Sequence, residues 1–104
     1  MKRHGLIILL ALLLGFLGTY ACAEEATAEK GETLFNDPAL GGSTTPASCN
    51  GCHPGGKNLA KAGEKTNLKD MINMCIGQAL KGNQLDEQSV EMESLVLYIK
   101  SLGK

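Results

Sequence analysis

Two cysteines and a histidine stand together in the middle of the chain, in the segment Cys49-Asn50-Gly51-Cys52-His53. Two thiols three positions apart, followed directly by an imidazole, form the CxxCH pattern that attaches haem covalently to a polypeptide. The two vinyl groups of haem sit on neighbouring pyrrole rings, so the two sulfurs must lie one short turn apart, and the adjacent histidine ligates the iron. The motif therefore predicts one haem c, attached through Cys49 and Cys52, with His53 as the proximal iron ligand.

A redox dithiol and a zinc site are the other two interpretations of a CxxC pattern. A redox dithiol usually sits on a βαβ pattern, and the sequence has no strand pattern. A zinc site needs four ligands, and Cys75 is the only further cysteine or histidine after residue 23. Cys52 and His53 are adjacent and poorly placed to bind one tetrahedral ion together. The sequence favours haem over both alternatives.

The first 23 residues have the composition of a secretory signal peptide. Two basic residues precede an apolar run of twelve residues at 6–17, and Ala21-Cys22-Ala23 supplies a small-residue cleavage site. We therefore expect residues 1–23 to be removed and residues 24–104 to form one domain in the periplasm or elsewhere outside the cytoplasm. An uncleaved signal, or lipidation at Cys22, would instead hold the protein at a membrane.

Charge and aromatic content narrow the function classes. Residues 24–104 contain eight lysines and eleven acidic side chains, a formal charge of −3, so the composition gives no indication of nucleic-acid binding. Phe35 and Tyr98 are the only aromatic residues in this part of the chain. A domain of this size has only marginal stability if its core consists of its own apolar side chains alone. A covalent haem would supply the missing apolar volume.

Helical spacing of apolar residues predicts three helices, over residues 27–36, 67–81 and 87–102. In the second of these helices the apolar stripe is Leu68, Met71, Ile72, Cys75, Ile76, Ala79 and Leu80. Gly31 in the first helix would let another helix approach closely. The predicted fold class is all-α, with about three helices packed around one haem.

Capping residues predict where these helices begin and end. Thr27 and Asn67 are the predicted N-caps of the first two helices, and Asp86 or Ser89 is the N-cap of the third. Gly82 is the predicted C′ residue of the second helix.

The order of these elements resembles that of the class I c-type cytochromes. The matching residues are Gly31 with Phe35 in the first helix, then the CxxCH segment, a middle helix, and Tyr98-Ile99-Lys100-Ser101-Leu102 at the end of the last helix. The resemblance extends over nearly the whole predicted domain. It implies that the first and last helices cross, that His53 is the proximal ligand, and that the protein is an electron carrier. Such a carrier exchanges single electrons with redox protein donors and acceptors by transient docking, and we expect no catalytic residues.

The sixth iron ligand is the point at which this sequence departs from that family. Family members carry a distal methionine in the loop before the last helix, but residues 82–86 contain none. Cys75 and Met92 are the principal candidates, while Met71, Met74 or water are the others. A Cys75 thiolate would lower the reduction potential, and a methionine thioether would raise it.

The residues around Cys75 also resemble the cytochrome domains of sulfur-oxidation proteins and thiosulfate dehydrogenases. The shared pattern is Ile72-x-x-Cys75, then Gly82, then Ser89-x-Glu91-Met92. In some of those proteins a cysteine from this helix ligates the haem. The resemblance implies an alternative function, as a haem subunit or enzyme acting on inorganic sulfur compounds such as thiosulfate. Related enzymes usually carry two haems and this chain has one CxxCH, so electron transport is the main expectation. Gas binding at an open iron is a third hypothesis.

Overall fold

The computed structural model describes residues 24–104, and every regular element in that range is helical. The four α-helices are α1 (Ala28–Phe35), α2 (Cys49–Cys52), α3 (Leu68–Met74) and α4 (Val90–Ser101). A π-helical turn at Cys75–Ala79 continues α3, and single 3-10 turns lie at Leu40–Gly42, Pro54–Gly56 and Ala62–Glu64. The all-α prediction is confirmed, and all three predicted helices are present.

Two further predictions concern the membrane and the leader. Within residues 24–104 no helix is both long and apolar enough to cross a bilayer. The predicted signal peptide, residues 1–23 with Cys22, lies outside the described residues.

Helices α1 and α4 cross in direct contact at Gly31. A Cβ atom at this position would lie 2.0 Å from the carbonyl oxygen of Ser94 and 2.7 Å from the Cβ of Tyr98, so only glycine fits. On either side of the crossing, the Ser94 hydroxyl accepts a hydrogen bond from the Thr27 N–H at 3.2 Å, and the rings of Phe35 and Tyr98 lie 5.1 Å apart. The predicted role of Gly31 is confirmed.

The core is built from buried side chains of α1, α3 and α4 and the segments beside them. Its largest members are Phe35, Leu40, Leu68, Ile72, Ile76, Leu80, Met92, Leu95, Val96 and Ile99. Along the second predicted helix, four of the seven residues of the predicted apolar stripe are buried. Met71, Cys75 and Ala79 are solvent-exposed, although their spacing is helical. They lie along the edge of a cleft that is described below.

Side-chain caps begin two of the helices as predicted. The Thr27 hydroxyl accepts from the Lys30 N–H at 3.0 Å, and the Ser89 hydroxyl accepts from the Met92 N–H at 3.1 Å. Of the two predicted caps for the last helix, Ser89 is therefore the residue used. Asn67 stands at the N-cap position of α3, as predicted, but its side chain forms no capping hydrogen bond.

The prediction that Gly82 is the C′ residue of the second helix is wrong by one position. Lys81 takes the left-handed conformation, with φ of 57°. Gly82 follows it, and its N–H donates to the carbonyl of Ile76 at 2.8 Å. This bond reaches six residues back, one residue further than in a Schellman ending, because the preceding turn is π-helical. A Cβ at Gly82 would lie 2.9 Å from the carbonyl oxygen of Leu40. Glycine is needed here for close backbone approach, because the Asn83 N–H donates to the Gly41 carbonyl at 2.7 Å.

Candidate functional site

An apolar cleft with a cavity volume of about 200 Å³ lies between the CxxCH segment, α3 and α4. From the motif, Cys49, Cys52 and His53 line it, and from α3 and its π turn Met71 and Cys75 do so. The remaining lining residues are apolar except for Ser48: Phe35, Ser48, Leu59, Ala62, Leu68, Ile72, Ala79, Leu80, Leu95 and Ile99. All three predicted haem-attachment residues therefore face one apolar cleft.

The motif itself forms one helical turn, α2, and a fixed bend after it. The His53 N–H donates to the Cys49 carbonyl at 2.9 Å, which closes the turn between the two thiols. The side-chain oxygen of Asn50 accepts from the Gly55 N–H at 2.8 Å, so a residue inside the motif fastens the bend that follows it. The sequence predicts a turn here but not this capping role of Asn50.

The imidazole of His53 has a defined orientation and proton position. Its Nδ1 lies 3.0 Å from the carbonyl oxygen of Lys57. Because a carbonyl can only accept, Nδ1 carries a proton, and in the neutral imidazole Nε2 then presents its lone pair. Metal-ligating histidines are typically held in this way, with the second ring nitrogen donating to a backbone carbonyl. His53 is therefore prepared to ligate through Nε2.

The three described cysteines are all free thiols. The pKa of Cys49 is raised from an ordinary value of 9.0 to about 11, chiefly because the thiol is buried and also because the charges of Cys75 and Cys52 lie nearby, while a backbone hydrogen bond partly opposes the shift. Cys75 can influence Cys49 only because α3 brings its sulfur towards the motif. The cleft thus brings together three thiols from two separate parts of the sequence.

Cys75 begins a turn that departs from α-helical geometry. The Leu80 N–H donates to the Cys75 carbonyl at 3.1 Å, the i to i+5 bond of a π turn, and such turns are frequent at functional sites. The end of this turn is held by the hydroxyl groups of Ser43 and Thr45, both of which donate to the carbonyl of Leu80. Apolar spacing in the sequence gives no signal for this turn.

The predicted candidates for the distal iron ligand differ in whether they line the cleft. Cys75 and Met71, which is 38% exposed, both line the cleft. Met92 is fully buried in the core and does not line the cleft, and Met74 is 55% exposed and lies off it. Only Cys75 and Met71 are therefore on the cleft surface.

Asn73 holds the connection before α4 in place, a role that the sequence does not indicate. It is only 8% exposed, and its amide donates to the Leu85 carbonyl at 2.9 Å and accepts from the Leu85 N–H at 2.8 Å. This pair of bonds attaches the short connection 82–86 to the side of α3. A single polar residue between two apolar ones gives no sequence signal for such a contact.

The residues of the cleft fit the requirements of a covalent haem. Within residues 24–104 no group of three or more His, Cys, Asp or Glu side chains is arranged to hold a metal ion. Haem needs only two thiols, one or two axial ligands and an apolar enclosure, all of which line this cleft. Neither protein-family models nor curated proteins nor solved structures match this chain.

Proposed function

We propose that residues 24–104 form a c-type cytochrome domain, exported from the cytoplasm, that carries single electrons between redox protein partners. The observation that carries this proposal is the convergence of Cys49, Cys52 and a His53 with an available Nε2 on one apolar cleft. When bound, haem would supply the reversible one-electron chemistry.

The chain's own residues would hold the group and set its surroundings. Cys49 and Cys52 would attach it, and His53 would ligate the iron while the Lys57 carbonyl keeps the imidazole in the correct tautomer. Apolar side chains such as Phe35 and Ile99 would exclude water from the cleft. A low dielectric and fixed ligands limit reorganisation during electron exchange, which suits a carrier.

Cys75 is the distal ligand that we propose. It lines the cleft, it starts the π turn, and its charge acts on Cys49, whereas Met92 is enclosed in the core. Met71 is the competing ligand, because it lines the same cleft one turn earlier. The near-infrared spectrum of the ferric protein separates them. A Met–iron charge-transfer band that is lost in Met71→Leu would exclude Cys75, and a thiolate signature that is lost in Cys75→Ser would support it.

Electron transport is tested by voltammetry and by ligand binding to the purified haem protein. We expect one reversible one-electron couple, together with no binding of carbon monoxide to the ferrous form under native conditions, because a protein side chain occupies the sixth position. Tight carbon monoxide binding would show an open iron and favour gas binding instead. An irreversible couple would contradict the carrier role.

A sulfur-compound oxidoreductase is the second candidate, and the exposure of Cys75 on the cleft favours it. An accessible thiolate could leave the iron to admit a substrate such as thiosulfate. The assay is thiosulfate-dependent reduction of an electron acceptor, compared between the wild type and Cys75→Ser. Turnover that is lost in Cys75→Ser would favour the enzyme, and absence of turnover in both would leave electron transport.

A further inference from the structure

The charges of the chain are segregated, although the net charge of residues 24–104 is −3. Five of the eight lysines lie in two stretches, residues 54–65 and 97–104, which contain a single acidic residue, Glu64. These lysines are Lys57, Lys61, Lys65, Lys100 and Lys104. The other ten acidic side chains lie elsewhere, mostly in residues 24–37 and 86–93. Two stretches with a net charge of +4 thus belong to a domain that is otherwise strongly acidic.

Packing brings these two lysine-bearing stretches together. A Cβ at Gly63 would lie 2.8 Å from the Cα of Lys100, and a Cβ at Gly103 would lie 2.6 Å from the carbonyl oxygen of Ala60. Gly56 similarly lies against the side chain of Leu102. The loop after the motif and the end of α4 are therefore in backbone contact. We call the five lysines of these stretches the lysine face.

The lysine face is available for an external partner. All five of its lysines are exposed. Among the described residues, the ion pairs are Lys30 with Glu24 and Lys69 with Glu93, and neither includes a lysine of this face. Glu64, and near Lys65 and Lys100 also Asp70 and Glu87, offset part of this charge. The excess of five lysines over the one carboxylate of the two stretches still gives a local positive potential, which net charge does not reveal.

The lysine face lies on the outer side of one wall of the cleft. Leu59, Ala62 and Ile99 line the cleft and alternate in sequence with the lysines of the face. The carbonyl of Lys57 also accepts the hydrogen bond from His53. A protein docked on these lysines would therefore be separated from the cleft by a single layer of chain.

We propose that the lysine face docks an acidic protein that serves as electron donor or acceptor for this domain. The redox part of this inference rests on the proposed function, whereas the local attraction for carboxylates does not. Complementary charge raises the association rate and falls away with salt, because exposed charges are screened over about 8 Å at physiological ionic strength. Such docking suits a partner that must bind and leave quickly.

Retention on a carboxylate cation exchanger at pH 7 and low salt tests the attraction of the lysine face for carboxylates. The test applies to the protein with haem and to the haem-free chain. We expect the wild type to bind despite its acidic net charge. The variant Lys57→Gln/Lys61→Gln/Lys65→Gln should elute at clearly lower salt. The matched control is Lys30→Gln/Lys69→Gln/Lys81→Gln, which has the same net charge but alters only lysines outside the face, and it should elute like the wild type. Equal elution of the two triple variants would overturn the proposal.

The redox role is tested by the rate of electron exchange between the haem protein and hexacyanoferrate, an anionic probe. At low salt we expect the lysine-face triple variant to react more slowly than the control by about tenfold, and the difference to vanish at high salt. Equal rates at low salt would overturn the docking role and leave the proposed function standing. Lysine-dependent binding to anionic phospholipid vesicles, without an effect on this rate, would overturn it in favour of a membrane surface. A chain without haem would overturn the proposed function itself.

Discussion

Gly31 offers the sharpest test of how the fold is held together. A methyl group at this position would lie 2.0 Å from the Ser94 carbonyl oxygen, and ordinary contact begins at 3.4 Å. The opposing atom belongs to the backbone of α4, so no side-chain rotation can relieve the clash. In Gly31→Ala the two helices must therefore move apart.

The expected cost of Gly31→Ala is about 3 kcal/mol. Overpacking a well-filled contact costs roughly 1–3 kcal/mol. Separation of the helices also weakens the Phe35–Tyr98 ring pair, worth about 1 kcal/mol, and the bond from Thr27 to the Ser94 hydroxyl, worth about 1 kcal/mol. The gain in helix propensity from glycine to alanine, about 1 kcal/mol, offsets part of this loss.

Urea denaturation followed by circular dichroism measures the effect, and Gly51→Ala is the matched control. Gly51 is also helical, but a Cβ there meets no atom within 4 Å. We expect the control to be as stable as the wild type or slightly more stable in the haem-free chain. If Gly31→Ala unfolds at the same urea concentration as Gly51→Ala, the close crossing of α1 and α4 is refuted.

Three further predictions concern stability and titration. Lys81→Gly should raise the free energy of unfolding by about 1 kcal/mol in urea denaturation, because glycine adopts the positive φ at this position without steric cost. An unchanged or lower stability would contradict the left-handed conformation of Lys81. Asn73→Ala should destabilise it by about 2–3 kcal/mol in the same assay, because the N–H and carbonyl of Leu85 lose their partners, and a loss below about 0.5 kcal/mol would show that those bonds are dispensable. In the haem-free chain, residue-resolved alkylation of Cys49 should titrate near pH 11. Since the thiol of the unfolded chain ionises near pH 9.0, the contribution of Cys49 to the free energy of unfolding is complete below pH 9 and is lost as the pH rises towards 11. A titration of Cys49 near pH 9 in the folded chain would contradict the burial of this thiol.

The parts of the fold that depend on local sequence could be predicted. Thr27 and Ser89 cap their helices with bonds to residues three positions away, and apolar periodicity marks the helices that follow. The need for glycine at Gly31 was also predictable, because a small residue on an apolar helix face indicates close packing. The CxxCH motif also predicted that Cys49, Cys52 and His53 lie together, because they are within five residues of one another, and all three line one cleft.

Features that depend on distant contacts could not be predicted. Lys81 is held in a left-handed conformation because Gly82 must pack against the backbone of Leu40. The π turn at Cys75 ends where hydroxyl groups from residues 43 and 45 reach the Leu80 carbonyl. The exposure of Cys75 and Met71 follows from the cleft, because an apolar stripe in sequence does not distinguish a buried core from the wall of a binding site.

The amount of covalent haem on the exported chain tests the central claim most directly. The protein is expressed together with a haem-attachment system, unfolded, extracted with acidified organic solvent, and then examined by absorption and intact mass. We expect one haem per chain to remain after extraction, and Cys49→Ser/Cys52→Ser to retain none. A correctly exported wild-type chain that carries no haem, or that loses all of it on extraction, would contradict the account.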